Sequence, residues 1–295
     1  MRGDSGSAVN IGAQPSQANF ILPEATVKFL KANDVIDADG HWAWGDGHLV
    51  LVGDIVDRGD QVTEILWFIR RLEREAEAAG GKVHFILGNH ETMVMAGDLR
   101  YIHPKYALAS EKIGKTYHDL YGPDTELGRW LRSKNTIVRI GNVLFVHAGY
   151  SPALDELGLD VDEINQRIRS TIGPPAWPTR DQLGPHLIWH QNGPMWYRGY
   201  FEKYAESWGG SPTAEQIDSI LKRNHVDHIV VGHTVVEDIG WIEENKRLIG
   251  IDVKWSKPEE GEGLLFEDGT ITRVDMNSKR KPLNIVHKPN SVGIP

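Results

Sequence analysis

The chain has 295 residues, of which 40% are hydrophobic and 25% charged, with a formal net charge of −9 and no cysteine. This is the balance of a soluble globular protein, long enough for one large domain or two ordinary ones. It excludes disulfides, thiolate metal sites and cysteine-nucleophile chemistry, gives no basic field for nucleic acid, and no stretch reaches the roughly 18 apolar residues of a membrane span.

Residues 1–20 are polar, rich in Gly, Ser and Gln, and without periodicity, so they read as a loose leader. A short helix follows to about Ala32, with Pro23 near its start. His48–Gly53 is an apolar run closed by glycine, the pattern of a strand buried on both faces. Next comes an amphipathic helix that Asp60 can cap. It carries Val62, Ile65, Leu66, Ile69 and Leu72 on one stripe and ends at Gly80-Gly81. Val83–Leu87 is a second strand, and residues 91–133 are mainly helical, broken at Pro104 and Pro123. Thr136–Ile140 and Val143–Val146 form a hairpin about Gly141-Asn142. Residues 151–210 are helical and irregular, and Ser211-Pro212 opens a further helix. His228–Val231 is a strand, with others near 235–242, 247–253, 262–267 and 270–275. No repeat or linker divides the chain, so residues 21–276 read as a single α/β domain and 277–295 as an extended tail.

Four of the apolar strands end in residues able to bind a metal. The first leads to Gly53-Asp54, the second to Gly88-Asn89-His90-Glu91, a third to His147 and a fourth to Gly232-His233. Ligands bind at the carboxyl ends of strands in open α/β sheets, so these tips can converge. Any one Asp or His after a strand is ordinarily a turn former or a satisfied polar group. Four in the same context make a donor set of one carboxylate, one amide oxygen and two imidazoles. That set suits manganese, iron or zinc rather than calcium. Arg58, in the turn after the first strand, can grip two phosphate oxygens in a fork. Asp57 can orient His90, placing an imidazole where it could protonate a leaving oxygen.

At these residues the sequence resembles the PPP superfamily of calcineurin-like metallophosphatases. Gly53–Gly59 matches its GDxVDRG signature, Gly88–Glu91 its GNHE, His147-Ala148-Gly149 its HGG/HAG motif, and Gly232-His233 its final histidine. Met95–Tyr101 and Trp196–Gly199 are similar to the Shewanella-like phosphatases within it. The resemblance implies a metallophosphoesterase-type β-sandwich flanked by helices, with metals at the strand ends. It implies that Asp54 bridges two metals and that Asn89, His147 and His233 complete the second site. His90 with Asp57 would be the general acid, and Arg58 and Arg198 would hold the phosphate. The implied reaction is hydrolysis of a phosphomonoester, on a phosphorylated protein or a small molecule, by direct attack of a metal-activated hydroxide. Phosphotyrosine is the implied preference, and the aromatic-rich stretch Trp189–Phe201 could line a pocket for its ring or serve as packing.

One family motif is missing. GDxHG, whose Asp and His hold the first metal, should end the strand before His48–Gly53, where this chain reads Ala13-Gln14-Pro15-Ser16-Gln17-Ala18-Asn19-Phe20. Asp39-Gly40-His41 and Asp46-Gly47-His48 lie too close to Asp54 to replace it and read as turn chemistry. The expectation is therefore one well-formed metal site where the family has two. Two alternatives follow: an impaired phosphate- or phosphopeptide-binding module, and a dinucleoside polyphosphate hydrolase. The expected location is cytoplasmic, or periplasmic if a native leader has been lost.

Overall fold

The computed structural model describes residues 8–13, 23–173, 179, 181–207, 210–255 and 260–286. Short apolar runs make the central strands: the four buried side chains of Val143–Val146 and the three of Leu49–Leu51 and Ile229–Val231 fit sheets covered on both faces. In chain order the first sheet begins with β1 (Ala8–Ala13), β2 (His48–Leu51) and β3 (Lys82–Phe85). The second takes β4 (Ile137–Ile140), β5 (Val143–Val146), β6 (His228–Val231), β7 (Gly240–Trp241) and β8 (Leu248–Gly250). The chain then returns to the first sheet as β9 (Asp252–Val253), β10 (Glu262–Glu267), β11 (Thr270–Asp275) and β12 (Arg280–Lys281). It closes the second with β13 (Asn284–Ile285).

The sheet orders are β12-β11-β10-β1-β2-β3, with β9 also on β1, and β13-β7-β8-β6-β5-β4. Phe145 of the second sheet meets Phe266 of the first edge-on, with ring centroids 5.9 Å apart. Two parallel pairs matter for function. β2 runs beside β3 with Leu51 opposite Phe85, and β5 beside β6 with Val146 opposite Val231. The segments that follow these four strands therefore leave the two sheets at carboxyl ends, where open α/β folds bind ligands.

Nine α-helices are found among the described residues: α1 (Pro23–Ala32), α2 (Val62–Ala79), α3 (Asn89–Ala96), α4 (Pro104–Lys112), α5 (Glu126–Arg132), α6 (Pro152–Glu156), α7 (Val161–Thr171), α8 (Glu202–Ala205) and α9 (Ala214–Asn224). The predicted stripe of α2 is buried, with Ala76 added to it. Burying each such large aliphatic side chain contributes about 1.5–3 kcal/mol before entropy is counted. Gly80 ends the helix in the left-handed conformation, which a Cβ would disfavour. None of the described helices is long and apolar enough to cross a membrane.

Several expectations need correction. The stretch read as a loose leader contains β1, which pairs parallel with β2 and β9 and antiparallel with β10. Its six residues carry little local signal, because its pairing depends on strands some 40 and 250 residues away. The extended tail likewise holds the two-residue strands β12 and β13. Gln61, not Asp60, is the residue before α2, and no side chain caps it. The strand expected over 235–242 shrinks to β7. The one expected over 247–253 divides at Ile251 into β8 and β9, because the chain changes sheets there. Gln14 to Phe20, the place of the missing motif, lies outside the described residues.

Candidate active site

The segments after β2, β3, β5 and β6 come together in a buried cluster of polar side chains. Asp54, Asn89, His147 and His233 all lie within it, each at most 3% exposed. The approach is close. A Cβ on Gly88 would lie 2.7 Å from the His147 ring, and one on Gly53 would lie 2.6 Å from the Gly88 nitrogen. Only glycine allows the two turns to meet this tightly. The neighbouring backbone is strained. Asp54, Asp57, Arg58 and His233 all have positive φ, between 57° and 78°. Three-residue turns close around Arg58 (Gly59 N to Asp57 O, 2.7 Å) and around His233 (Thr234 N to Gly232 O, 2.6 Å). Such conformations cost about 1–3 kcal/mol each and gather where function over-determines them.

Four lone-pair atoms face one another here. His147 Nε2 lies 3.0 Å from Asn89 Oδ1, 3.2 Å from His233 Nδ1 and 3.4 Å from Asp54 Oδ1. The Nδ1–H of His147 donates to the Val52 carbonyl at 2.6 Å, which leaves Nε2 with its lone pair turned inward. Asn89 is oriented by its Nδ2, which reaches Met93 Sδ at 3.8 Å. Burial, joined by the charge of Arg198, holds His233 well below the ordinary histidine range and so keeps it a neutral donor. Burial alone would raise the Asp54 carboxyl, yet the charge of His90 and the hydrogen bond from its amide act to lower it. Converging lone pairs and a buried carboxylate repel one another unless a cation lies between them. The donor set therefore fits a divalent metal, and its mixed N and O character suits manganese, iron or zinc. Among the described residues, Asp54, His147 and His233 form the one cluster of three or more acidic or imidazole ligands.

Beside this cluster sits a second unit. His90 Nδ1 lies 2.7 Å from Asp57 Oδ2, and His90 Nε2 turns toward Asp54, 4.0 Å from Oδ2. Burial works against a charged His90 ring. The Asp54 and Asp57 carboxylates outweigh it and raise its pKa, so the imidazolium is favoured. The His90 amide, in the first turn of α3, donates to Asp54 Oδ1 at 3.1 Å. Burial lowers the pKa of both predicted arginines, and the charge of Asp54 works against that shift in each. Arg198 is held by the His233 carbonyl (3.0 Å) and Thr234 Oγ1 (3.2 Å). Asp54, Asn89, His147 and His233 thus form one buried cluster, with the His90–Asp57 pair and Arg198 in contact with it and Arg58 next to Asp57 in the turn after β2. Of the aromatic stretch, Trp189, Tyr197, Tyr200 and Phe201 are buried core. Trp196 is half-buried and meets His233 edge-on at 5.9 Å.

Sequence reasoning passed over Glu91. Its carboxylate is fully buried and accepts four backbone N–H groups: Gly88 (2.8 Å), Asp54 (2.8 Å), Ile55 (2.7 Å) and Val56 (3.1 Å). It ties the turn after β2 to the start of α3, and so Asp54 to Asn89 and His90. The available signal was an acid at the third position of a helix, where it can reach back to free amides. Glu91→Ala would strand those donors. We expect a stability loss of at least about 3 kcal/mol in urea unfolding; a loss below about 1 kcal/mol would mean that the turn is held by other contacts.

The sequence profile of the calcineurin-like phosphoesterases matches residues 24–237. Shewanella-like protein phosphatase 2 of Arabidopsis thaliana is 27% identical over 277 residues, covering 79% of this chain and 68% of that protein. A symmetrical bis(5'-nucleosyl)-tetraphosphatase of Neisseria meningitidis is 35% identical, over only 37% of this chain and 35% of its own length. Among solved structures, the cold-active protein-tyrosine phosphatase of a psychrophilic Shewanella species superposes with a TM-score of 0.84 at 38% identity, covering 95% of this chain and 80% of that one. The chain spans 58–68% of the length of the curated relatives that match most of it. The four strand-end motifs, the sheets that carry them and these likenesses agree, and the chain belongs to the calcineurin-like phosphoesterase family, on its Shewanella-like phosphatase branch.

Proposed function

We propose that this chain is a metal-dependent phosphomonoester hydrolase acting on phosphorylated proteins, phosphotyrosine before phosphoserine. The observation that carries this reading is the His90–Asp57 pair set beside a buried four-donor cluster, with Arg198 bonded to the His233 carbonyl at its edge. When bound by Asp54, Asn89, His147 and His233, a divalent cation would offset charge on the phosphoryl oxygens and favour deprotonation of water.

The protein's own groups account for the rest. Arg58 and Arg198 bind and orient the phosphoryl oxygens, which a planar fork does better than a point charge. Asp57 fixes the His90 ring through Nδ1, so that the proton on Nε2 is the one given to the departing oxygen. Glu91 holds the donors in register. Preference for an aromatic leaving group is supported by Trp196 and Tyr101, whose half-buried rings lie against His233 and His90. It is supported as well by the Shewanella neighbour being a protein-tyrosine phosphatase.

A second reading, a phosphopeptide-binding module, is favoured by one observation: the described residues form one metal cluster and not two. Steady-state rates on a phosphotyrosine peptide, the matching phosphoserine peptide and diadenosine tetraphosphate discriminate among the readings. We expect the phosphotyrosine peptide to give the highest kcat/KM. Faster cleavage of the tetraphosphate would overturn the phosphomonoesterase reading, and tight peptide binding without turnover would favour the binding module.

A further inference from the structure

Tyr101 touches two of the residues given roles above, Arg58 and His90. Its carbonyl accepts the Arg58 amide at 2.8 Å. Its ring lies 4.4 Å beneath the Arg58 guanidinium and 5.3 Å, centroid to centroid, from the His90 imidazole. The ring is half-buried, and the Arg100 guanidinium approaches it as well, at 5.5 Å. Arg100 is anchored to the carboxylate of Asp98 at 2.7 Å. The segment carrying Tyr101 leaves α3 through Gly97, which is left-handed (φ +87°), and so folds back over the pocket that α3 itself helps to build.

We propose that Tyr101 is a positioning residue, a single aromatic plate that holds the phosphate-gripping Arg58 and the general acid His90 in fixed relation to each other. This inference rests on the hydrolase reading above and deepens it. Arg58 has an unfavourable backbone conformation, at φ +60°, and the hydrogen bond to the Tyr101 carbonyl stabilises it there. Its guanidinium sits on a long rotatable side chain, and an aromatic face fixes the plane of the fork. The same ring limits rotation of His90, whose other restraint is the bond to Asp57. One side chain thereby couples substrate grip to proton delivery.

The test compares Tyr101→Phe and Tyr101→Leu in the full, manganese-loaded chain. Both keep the backbone carbonyl, and only the first keeps the ring. Inorganic phosphate affinity is measured by calorimetry, kcat and KM on p-nitrophenyl phosphate and on an alkyl phosphate, and the melting temperature as a control for folding. The expected result for Leu is about tenfold weaker phosphate binding, from loss of the cation–π contact. Its kcat should also fall further on the alkyl than on the aryl ester, at an unchanged melting temperature. Phe should restore both. Leu matching the wild type in phosphate affinity and in the alkyl-to-aryl ratio would overturn the proposal, as would Phe being as impaired as Leu. Should the wild-type chain turn over neither ester, the hydrolase reading fails on its own, and phosphate affinity still decides whether Tyr101 holds Arg58.

Discussion

His90→Ala is expected to lower kcat on alkyl phosphates by about 10²–10⁴-fold, the usual contribution of a positioned general acid. On p-nitrophenyl phosphate, whose leaving group needs little protonation, the loss should be about tenfold or less by the same reasoning. The contrast matters more than either number. A residue that merely supported the pocket would depress both substrates alike. His90 Nδ1 is committed to Asp57, its Nε2 faces the donor cluster, and its pKa is raised by the two neighbouring carboxylates, so the protonated ring is the favoured form. Metal content should be unchanged, because His90 is not among the converging donors. Equal losses on both esters would remove His90 from the role of acid.

The second large effect concerns the metal. Equilibrium dialysis with manganese or zinc should give one ion bound per chain. His147→Ala should weaken that binding by more than about 100-fold, beyond the 10–100-fold typical of losing an orienting partner alone. His147 is the central donor, with Asn89, His233 and Asp54 all within 3.4 Å of its Nε2 and its tautomer fixed by the Val52 carbonyl. Asn89→Ala should weaken binding less, since it removes a neutral oxygen. Two ions per chain in the wild type would contradict the single-site account and point to further ligands beyond the described residues.

The parts of this site that could be read in the sequence are those encoded locally. Each of β2, β3, β5 and β6 belongs to a short run rich in apolar residues, and each is followed within three residues by a glycine or a ligand, so the strand ends could be located one at a time. Convergence was an inference from α/β topology, and the geometry bears it out. What was not legible depends on distant partners. β1 has almost no pattern of its own and exists by pairing with β2 and β10. The change of sheet at Ile251 interrupts what looks like one strand. Arg198 was reached only through family resemblance, since nothing in its local sequence marks an arginine that will bond the His233 carbonyl. Glu91 was quoted within GNHE and assigned no task, because its task is to satisfy four amides, three of which lie more than thirty residues earlier. The positive φ values at Asp54, Asp57, Arg58 and His233 have no residue signature at all, because their strain is imposed by the surrounding fold.

The buried cluster and its acid are expected to make a working phosphatase. The most direct test is hydrolysis of p-nitrophenyl phosphate by the purified chain, with manganese, with a chelator, and with Asp54→Asn beside the wild type. The account predicts turnover that requires the metal, disappears with the chelator and is lost in Asp54→Asn. A folded chain that binds manganese and phosphate yet shows no turnover above the Asp54→Asn background would contradict it.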